Sequence, residues 1–287
     1  MIKVRRGSRE DLPAVLDLLS RVWDDDYVPH LWLEWAESPS EGLVLVAESD
    51  GDIVGTTYVD FMPHGACWFQ ALRVHPEFRR LGVGSALAQA ALDESRTRGR
   101  SYAYLGIDAE NTASLNMTAR LGFRQITEYT LLSLTLPPWP TGMERPKNTA
   151  TWCKASLSDL PRLLTAAREA KRADFIACWQ WQPLSSEALQ ENIEQDNIWF
   201  WDDPSAFVFA GFEDSESHPH LFDPCGQPEA VKQLIDFLTV NLRREEETRF
   251  EVWLRHDSPL VEFLLHQRGF VEQEGYTIWE YPLQPLQ

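Results

Sequence analysis

The order of hydrophobic and polar positions in residues 1–136 predicts alternating strands and helices. Short apolar or alternating runs, typical of β-strands, occupy residues 3–5, 43–48, 53–61, 66–74, 102–107 and 123–136. Apolar residues spaced three and four apart, typical of helices, occupy residues 12–19, 23–37, 83–92 and 112–121. Ser8 and Asp11 form a capping-box pattern before the first helix, and Gly122 follows the last one at a C′ position.

One stretch carries more chemistry than the others. The strand ending Leu72-Arg-Val74 is followed by Pro76 and then by Arg79-Arg-Leu-Gly-Val-Gly-Ser85, after which helical spacing begins. Glycines at a loop-to-helix junction let a backbone approach a bulky anion, and the unpaired amides of the first helical turn favour negative charge. The stretch therefore predicts a phosphate cradle.

Two common phosphate-binding motifs do not fit this stretch. A P-loop needs a lysine and then serine or threonine after its last glycine, whereas Gly84 is followed by Ser85 and Ala86. A dinucleotide fingerprint needs three glycines, and Gly82 and Gly84 have no third partner at the required offset.

The observed order is a strand, a proline, Arg-x-x-Gly-x-Gly and a helix. It resembles the pyrophosphate-binding motif of the GNAT N-acetyltransferase superfamily, which uses acetyl-coenzyme A (acetyl-CoA). Asn111 and the Leu-Gly-Phe ending at Phe123 resemble a second signature of that superfamily. The resemblance covers residues 1 to about 136 in the expected element order.

The resemblance implies a fold, a cosubstrate and a set of binding residues. The implied fold is α+β, in the three-layer α/β arrangement of the family, with a mostly antiparallel mixed sheet flanked by helices. By position, Leu72, Arg73 and Val74 would hold the pantetheine arm and thioester through main-chain groups, with the Leu72 backbone as oxyanion donor. The residues that match the pyrophosphate and cofactor-arm positions are Arg79, Arg80, Leu81, Gly82, Val83, Gly84, Ser85 and Asn111.

The family's proton-handling residues do not carry over. Many members have a tyrosine where this chain has Thr118, and some have a glutamate where it has Trp68. Thr118 is a far weaker acid, and Trp68 cannot act as a base. Candidate catalytic side chains, acting through water, are therefore Thr118, Glu34, Tyr58 and Asp60, each with an ordinary structural role as the alternative.

The second half of the chain repeats landmarks of the first. Ser156-x-x-Asp-Leu-Pro reproduces Ser8-x-x-Asp-Leu-Pro at an offset of 148 residues, and Gly269-Phe reproduces Gly122-Phe at an offset of 147. The sequence thus predicts a GNAT-like domain at 1–137, a proline-rich linker at 138–150 and a second copy at 151–287. Between Phe222 and Pro228 this copy carries prolines and an aspartate instead of the cradle, which predicts a degenerate site.

Composition narrows the partners and the compartment. The net charge of −18, from 44 acidic residues against 26 lysines and arginines, makes nucleic acid and anionic membranes poor partners. The same charge either attracts a cationic amine or serves only solubility. No metal site is predicted, because His218 and His220 lack a further ligand at a recognisable spacing. Four widely spaced cysteines and a polar N-terminus without a signal-peptide pattern predict free thiols in the cytoplasm.

Two functions remain open from the sequence. The first is an N-acetyltransferase that moves an acetyl group from acetyl-CoA to a primary amine of a small molecule or a peptide, as a monomer or homodimer. The second is a non-catalytic protein that senses acetyl-CoA and binds a partner. An intact cradle serves both functions, so the cradle does not separate them.

Overall fold

The computed structural model describes residues 2–23, 26–38, 40, 42–62, 65–144, 150–177, 179–203, 206–214 and 218–284. The chain forms two compact units. The first consists of Met1–Ile107, Asn111–Ile126 and Ile278–Gln287, and the second of Asp108–Glu110 and Thr127–Thr277. Among the described residues, no helix is long and apolar enough to cross a membrane.

The first unit follows the predicted element order. Its elements are β1 (Lys3–Arg6), α1 (Leu12–Leu19), α2 (Val28–Glu37), β2 (Gly42–Ser49), β3 (Asp52–Asp60), β4 (Ala66–Val74), α3 (Val83–Thr97), β5 (Tyr102–Asp108), α4 (Thr112–Arg120) and the start of β6 (Arg124–Leu136). The second predicted helix extends from 23, but α2 begins only at Val28, where the Asp26 carboxylate accepts the Val28 N–H at 3.1 Å.

The sheet of the first unit has the order β1-β2-β3-β4-β5. Neighbouring strands are antiparallel except β4 and β5, which are parallel. On the far side of β5, the Leu283 N–H donates to the Ser101 carbonyl at 2.8 Å, so the C-terminal end of the chain continues this sheet.

Helices cover both faces of this sheet. On one face, Val83, Leu87 and Ala91 of α3 pack on buried strand residues such as Cys67 and Phe69. On the other face, α1 and α2 contribute a second buried cluster, formed by Val15, Leu19, Val28, Trp32, Trp35, Val44, Val46, Tyr58 and Ala71. The three-layer α/β fold expected from the sequence is confirmed.

The second unit repeats this order of elements and adds one hairpin. Its elements are the rest of β6, β7 (Thr151–Lys154), α5 (Leu160–Glu169), β8 (Asp174–Ala177), β9 (Gln180–Pro183), α6 (Ser186–Glu194), β10 (Ile198–Asp203), β11 (Ala206–Glu213), β12 (His220–Cys225), α7 (Pro228–Asn241), β13 (Thr248–Arg255), α8 (Pro259–Gln267) and most of β14 (Val271–Pro282). The sheet order is β6-β13-β12-β11-β10-β7, with β12 and β13 parallel. The hairpin β8–β9 has no counterpart among the described residues of the first unit.

The compact units do not divide at the residue numbers expected from the sequence. The first domain was expected to end at residue 137, but β6 pairs with β13 from Tyr129 opposite Arg255 to Leu136 opposite Thr248. Residues 127–137 therefore belong to the second unit, and residues 278–287 belong to the first. An alternating strand pattern specifies which face is buried and not which strand becomes its neighbour. Of the expected linker at 138–150, residues 145–149 lie outside the described part of the chain.

The repeated capping boxes differ in one contact. In the first, the Asp11 carboxylate accepts from the Ser8 N–H at 2.8 Å and also from both terminal nitrogens of Arg5 at 2.7 Å. In the second, Asp159 accepts from the Ser156 N–H at 2.9 Å, and Lys154 pairs with another acid. The hydrogen bonds from Arg5 hold the pKa of Asp11 below its usual value.

We expect Asp11→Ala to lower the free energy of unfolding by about 2–4 kcal/mol, because it removes a helix cap and a charged hydrogen bond. Asp159→Ala, the matched control, removes only the cap and should cost about 1 kcal/mol. The lowered pKa of Asp11 stabilises the fold above an unfolded-state pKa of about 3.9, so the Asp11 effect should shrink as the pH falls below that value. Urea unfolding followed by tryptophan fluorescence measures both variants, and equal losses would contradict the assignment to Arg5.

Candidate acetyl-CoA site

Strands β4 and β5 separate at the end that leads into the cradle. Their parallel pairing runs from Ala66 opposite Tyr102 to Phe69 opposite Leu105. Beyond Phe69, β4 continues five residues to Val74, and within these described strands it forms no further pair with β5. Over residues 70–74, the main-chain edge of β4 that faces β5 is therefore not used by this pairing.

A β-bulge lies at the point of separation. Tyr58 pairs with Gln70 and Thr56 pairs with Arg73, so β4 has one residue more than β3 over this interval. Ala71 lies within the bulge and has a φ of 56°, a left-handed conformation that is uncommon outside glycine.

The main chain beyond the bulge points toward the opening. The His75 N–H donates to the Val54 carbonyl at 3.0 Å, which fixes the alternation of bonded and non-bonded positions between β3 and β4. This alternation turns the N–H of Val74 away from β3, toward the gap beside β5. Leu72, Arg73 and Val74 are predicted to hold the pantetheine arm and thioester through main-chain groups. Val74 fits this prediction, whereas the main chain of Arg73 is paired with Thr56 of β3.

The loop after β4 ends in a helix N-terminus with free amides. Gly82 caps α3 with φ of 86° and ψ of 1°, and the first bond into the helix runs from the Ala86 N–H to the Gly82 carbonyl at 2.9 Å. The N–H groups of Val83, Gly84 and Ser85 therefore have no helical partner. They can bind an anion such as a pyrophosphate, with the exposed side chains of Arg79 and Arg80 nearby in the loop.

The two glycines of the motif are needed for different reasons. A Cβ at Gly82 would touch nothing within 4 Å, so this glycine serves its left-handed backbone conformation. A Cβ at Gly84 would lie 3.1 Å from the Met117 sulfur and 3.7 Å from Val74, so this glycine lets α3 pack closely on α4 and β4. The sequence predicts that both glycines serve the approach of the anion, and Gly84 serves this helix packing as well.

The side chain of Arg73 has a role that the sequence argument missed. Its Nε lies 2.6 Å from Asp26 Oδ2, and its Nη2 lies 3.2 Å from Asp26 Oδ1. The Arg73 side chain is 11% exposed and the Asp26 side chain 2%. The guanidinium also lies 4.7 Å from the ring centre of Trp23 and 5.6 Å from that of Tyr27. This ion pair ties the segment before α2 to the bulged strand. Asp26 and Arg73 are 47 residues apart, and no local pattern connects them.

Three of the four predicted proton-handling side chains lie on β3 and α2. Tyr58 is buried, pairs with Gln70 beside the bulge and stacks on Trp35 with ring centres 4.1 Å apart. Asp60 lies farther along β3, opposite Trp68, and Glu34 is exposed on α2.

The fourth, Thr118, lies on α4, and the predicted cofactor-arm residue Asn111 precedes that helix. Thr118 is 2% exposed, and the described residues show no hydrogen bond from its hydroxyl to the carbonyl of the preceding turn. Asn111 caps the helix by accepting the Ser114 N–H at 3.1 Å, which leaves its amide nitrogen to donate to a ligand. Among the predicted proton-handling residues, the structure therefore brings Tyr58 to the bulge.

The second unit keeps the bulge and fills the space beside it. β12 and β13 pair in parallel only as far as Phe222 opposite Trp253, and Asp223 then has a φ of 45°. The Asp223 carboxylate accepts from both terminal nitrogens of Arg172 and from the Tyr129 hydroxyl at 3.1 Å. The carboxylate within the second bulge is thus already paired.

The helix after this second bulge is also unlike a phosphate cradle. α7 has Pro228 at its first position, where it has no N–H to donate, and Glu229 lies in the first turn. A carboxylate at a helix N-terminus competes with an anionic ligand. The added hairpin β8–β9 packs directly on β11. A Cβ at Gly211 of β11 would lie 2.7 Å from the carbonyl oxygen of Ile176 in β8.

Comparisons with known proteins agree with this geometry. Residues 11–123 match the model of the Acetyltransferase (GNAT) family. A putative acetyltransferase from Thermoplasma acidophilum is 19% identical with a TM-score of 0.63, and the alignment covers 98% of this chain and 99% of that one. A GCN5-related N-acetyltransferase from Sphaerobacter thermophilus is 16% identical with a TM-score of 0.63, covering 99% and 96%.

A third solved structure has the tandem arrangement itself. The tandem GNAT protein from the clavulanic acid biosynthesis pathway, solved without acetyl-CoA, is 14% identical with a TM-score of 0.61, and the alignment covers both chains completely. At these identities the likeness concerns the fold. Members of the GNAT family use acetyl-CoA as a cosubstrate, and the free amides of Val83 to Ser85 in the first unit fit its pyrophosphate. Among the described residues, no group of three or more histidine, cysteine or acidic side chains is placed to hold a metal ion.

We expect Asp26→Ala to lower the free energy of unfolding by about 3–5 kcal/mol, because it leaves the Arg73 guanidinium buried without its counter-charge. The matched control is Glu37→Ala, which breaks an exposed pair with Arg9 and should cost at most about 1 kcal/mol. Urea unfolding of both variants measures the difference. If the two losses were the same, the Asp26–Arg73 pair would not be the link that we describe.

Proposed function

We propose that this protein is an N-acetyltransferase that uses acetyl-CoA bound in its first unit. The observation that carries the proposal is the presence of two sets of main-chain donors in the first unit: the Val74 N–H at the β4 edge and the free amides of Val83, Gly84 and Ser85 at the start of α3. Acetyl-CoA has a thioester at one end and a pyrophosphate farther along, and these two sets offer donors for both.

The residues present support a division of roles. Bound acetyl-CoA would supply the activated acetyl thioester. The first turn of α3, together with Arg79 and Arg80, would hold the pyrophosphate, and the main chain of β4 at Val74 would hold the thioester oxygen. Asn111 would contact the cofactor arm through its amide nitrogen. Positioning and preorganised backbone dipoles can supply a large part of the rate.

The acceptor that fits best is a primary amine on a small molecule or a peptide, with overall positive charge. The net charge of −18 would attract such a molecule and repel nucleic acid. The amine must reach the thioester as a neutral nucleophile, and Tyr58 is the predicted side chain that lies beside the bulge.

The test of the proposed reaction is release of free thiol from acetyl-CoA by the full chain. A panel should include a diamine, an aminoglycoside, an amino acid and a peptide with a free N-terminus. We expect amine-dependent release with at least one of them. Calorimetry on the same protein should give one acetyl-CoA per chain, because the described part of the second unit offers no free cradle. Binding without release on any amine would favour the sensing function, and a stoichiometry of two would contradict the degenerate second site.

The stoichiometry should be measured on the intact protein. Each unit contains residues from both sides of the expected linker, since 278–287 belong to the first unit and 127–137 to the second. A cut in the expected linker would therefore remove part of the sheet from each.

A second test addresses the cradle directly. Ser85→Pro removes one of the free N–H donors at a position in the first helical turn where proline is tolerated, and the preceding Gly84 has no Cβ to clash. We expect the affinity for acetyl-CoA to fall about tenfold or more, as for loss of one charged hydrogen bond, with little change in melting temperature.

The matched control for this proline is Ser186→Pro, at the first position of α6 in the second unit. Calorimetry and a thermal melt on both variants complete the test. An unchanged affinity in Ser85→Pro would show that the pyrophosphate binds elsewhere.

A further inference from the structure

A cavity of about 490 Å³ lies in the second unit, between helices α5 and α7. This volume falls in the range of about 300–1,000 Å³ that is typical of small-molecule sites. The floor is formed by residues that are buried or half-buried, namely Ala166, Phe207, Gly226 and Ala230. The two alanines, one on each helix, leave the space between the helices unfilled.

The short connection between β12 and α7 explains why this space is not covered. In the first unit eight residues, 75–82, separate β4 from α3, whereas only Gly226 and Gln227 separate β12 from α7. The short turn passes close to β11, since a Cβ at Gly226 would lie 2.8 Å from Val208 Cγ2 and 3.0 Å from the Phe207 carbonyl oxygen. This turn leaves a single side chain, that of Gln227, beside the opening.

The rim of the cavity carries one arginine that is already paired. The two terminal nitrogens of Arg162 donate to the Asp202 carboxylate at 2.6 and 2.8 Å. Its guanidinium carbon also lies 3.9 Å from the centre of the Phe207 ring. The arginine is therefore part of the wall and has its own counter-charge, so it does not make the cavity a site for an anion.

The two carboxylates of the rim differ from each other. Glu229 lies 3.2 Å from Lys232 Nζ, in a pair between residues three apart on α7. Glu169 is exposed, and among the described residues it forms no ion pair and no side-chain hydrogen bond. Because Arg162 and Glu229 each have a partner of opposite charge, Glu169 leaves the rim with an unneutralised negative charge.

The corresponding positions of the first copy carry no such charge. At the offset of 148 residues that relates the two capping boxes, Thr165 and Glu169 correspond to Asp17 and Arg21. Asp17 and Arg21 pair with each other, with nitrogen and oxygen 3.2 Å apart. In the second copy the Thr165 hydroxyl donates to the Pro161 carbonyl at 2.8 Å, so it is not donated to Glu169. The second copy has thus reversed the charge at this position and lost its partner.

We propose that this cavity binds a small organic cation with an apolar body, such as an arylalkylamine. The apolar part lies on Ala166, Ala230 and Phe207, and the ammonium group donates to the Glu169 carboxylate at the rim. An anion would instead meet the Glu229 carboxylate in the first turn of α7. These residues all belong to the second unit, and the proposal does not rest on acetyl transfer.

The test compares two probes of the same size on the full chain without acetyl-CoA. Phenethylamine is a cation at neutral pH, and 2-phenylethanol has a hydroxyl in place of the ammonium group. Titrations followed through the NMR signals of the probe should give an affinity about tenfold or more higher for the amine, as for one charged hydrogen bond. This preference should shrink as the salt concentration rises, because Glu169 is exposed.

Glu169→Gln keeps the size of the side chain and removes its charge. We expect the preference for the amine to fall to within about twofold, while the affinity for 2-phenylethanol stays the same. The matched control is Glu272→Gln, which changes an exposed glutamate of β14 outside the cavity and should keep the wild-type preference. Both positions are exposed, so the melting temperatures should differ little from that of the wild type.

A second variant, Ala166→Trp, fills the cavity and should lower the affinity for both probes about tenfold or more. A thermal melt shows whether this variant folds, and if it does not, Glu169→Gln decides alone. A wild type that binds neither probe, or binds the two equally, would overturn the proposal. A preference that persists in Glu169→Gln would also overturn it, because the amine would then bind elsewhere, for example as an acceptor in the first unit.

Calorimetry with acetyl-CoA separates this proposal from the proposed function. Glu169→Gln should bind acetyl-CoA as tightly as the wild type does. A wild type that showed the Glu169-dependent preference for the amine but bound no acetyl-CoA would contradict the proposed function and support the cation site.

Discussion

The first unit depends on a single extra residue in β4. Cys67 and Phe69, which precede the bulge, point toward α3. Side chains of a strand alternate with a period of two, so in a strand without the bulge Arg73 would point to the same apolar side. The bulge at Ala71 reverses the alternation, so Leu72 and Val74 pack on the α3 side. Arg73 then faces α2, where Asp26 neutralises it. Burying that guanidinium among leucines and valines would be prohibitively costly, so the bulge and the ion pair require each other.

The same extra residue separates β4 from β5 and exposes a main-chain edge. A regular parallel pair would use those N–H and C=O groups within the sheet. Here the strand instead passes into a loop that ends at the free amides of α3, and Gly84 lets the helix lie close to Val74. The donors of the strand and of the helix thereby become parts of one surface of the first unit.

The two units use the same backbone feature in opposite ways. In the first, the left-handed residue of the bulge is Ala71, whose methyl group leaves the neighbouring main chain accessible. In the second, it is Asp223, whose buried carboxylate is paired with Arg172 and Tyr129. A buried carboxylate that has lost its partners is very unfavourable, so this pairing holds the second bulge closed. Keeping the fold while filling the site is what we expect of a copy that stabilises the protein and binds no cosubstrate of its own.

The sequence by itself determined the features that depend on neighbouring residues. The order of elements, the helix start at the cradle and the left-handed Gly82 follow from local spacing and backbone conformation, and the repeated Ser-x-x-Asp-Leu-Pro identified the second copy of the fold. Only the tertiary structure decided which strands complete each sheet, because alternation buries a face without choosing a partner. It also decided the meeting of Asp26, Tyr27 and Arg73, since contacts across 46 and 47 residues arise from the packing of α2 on the bulged strand and leave no periodic trace in the chain.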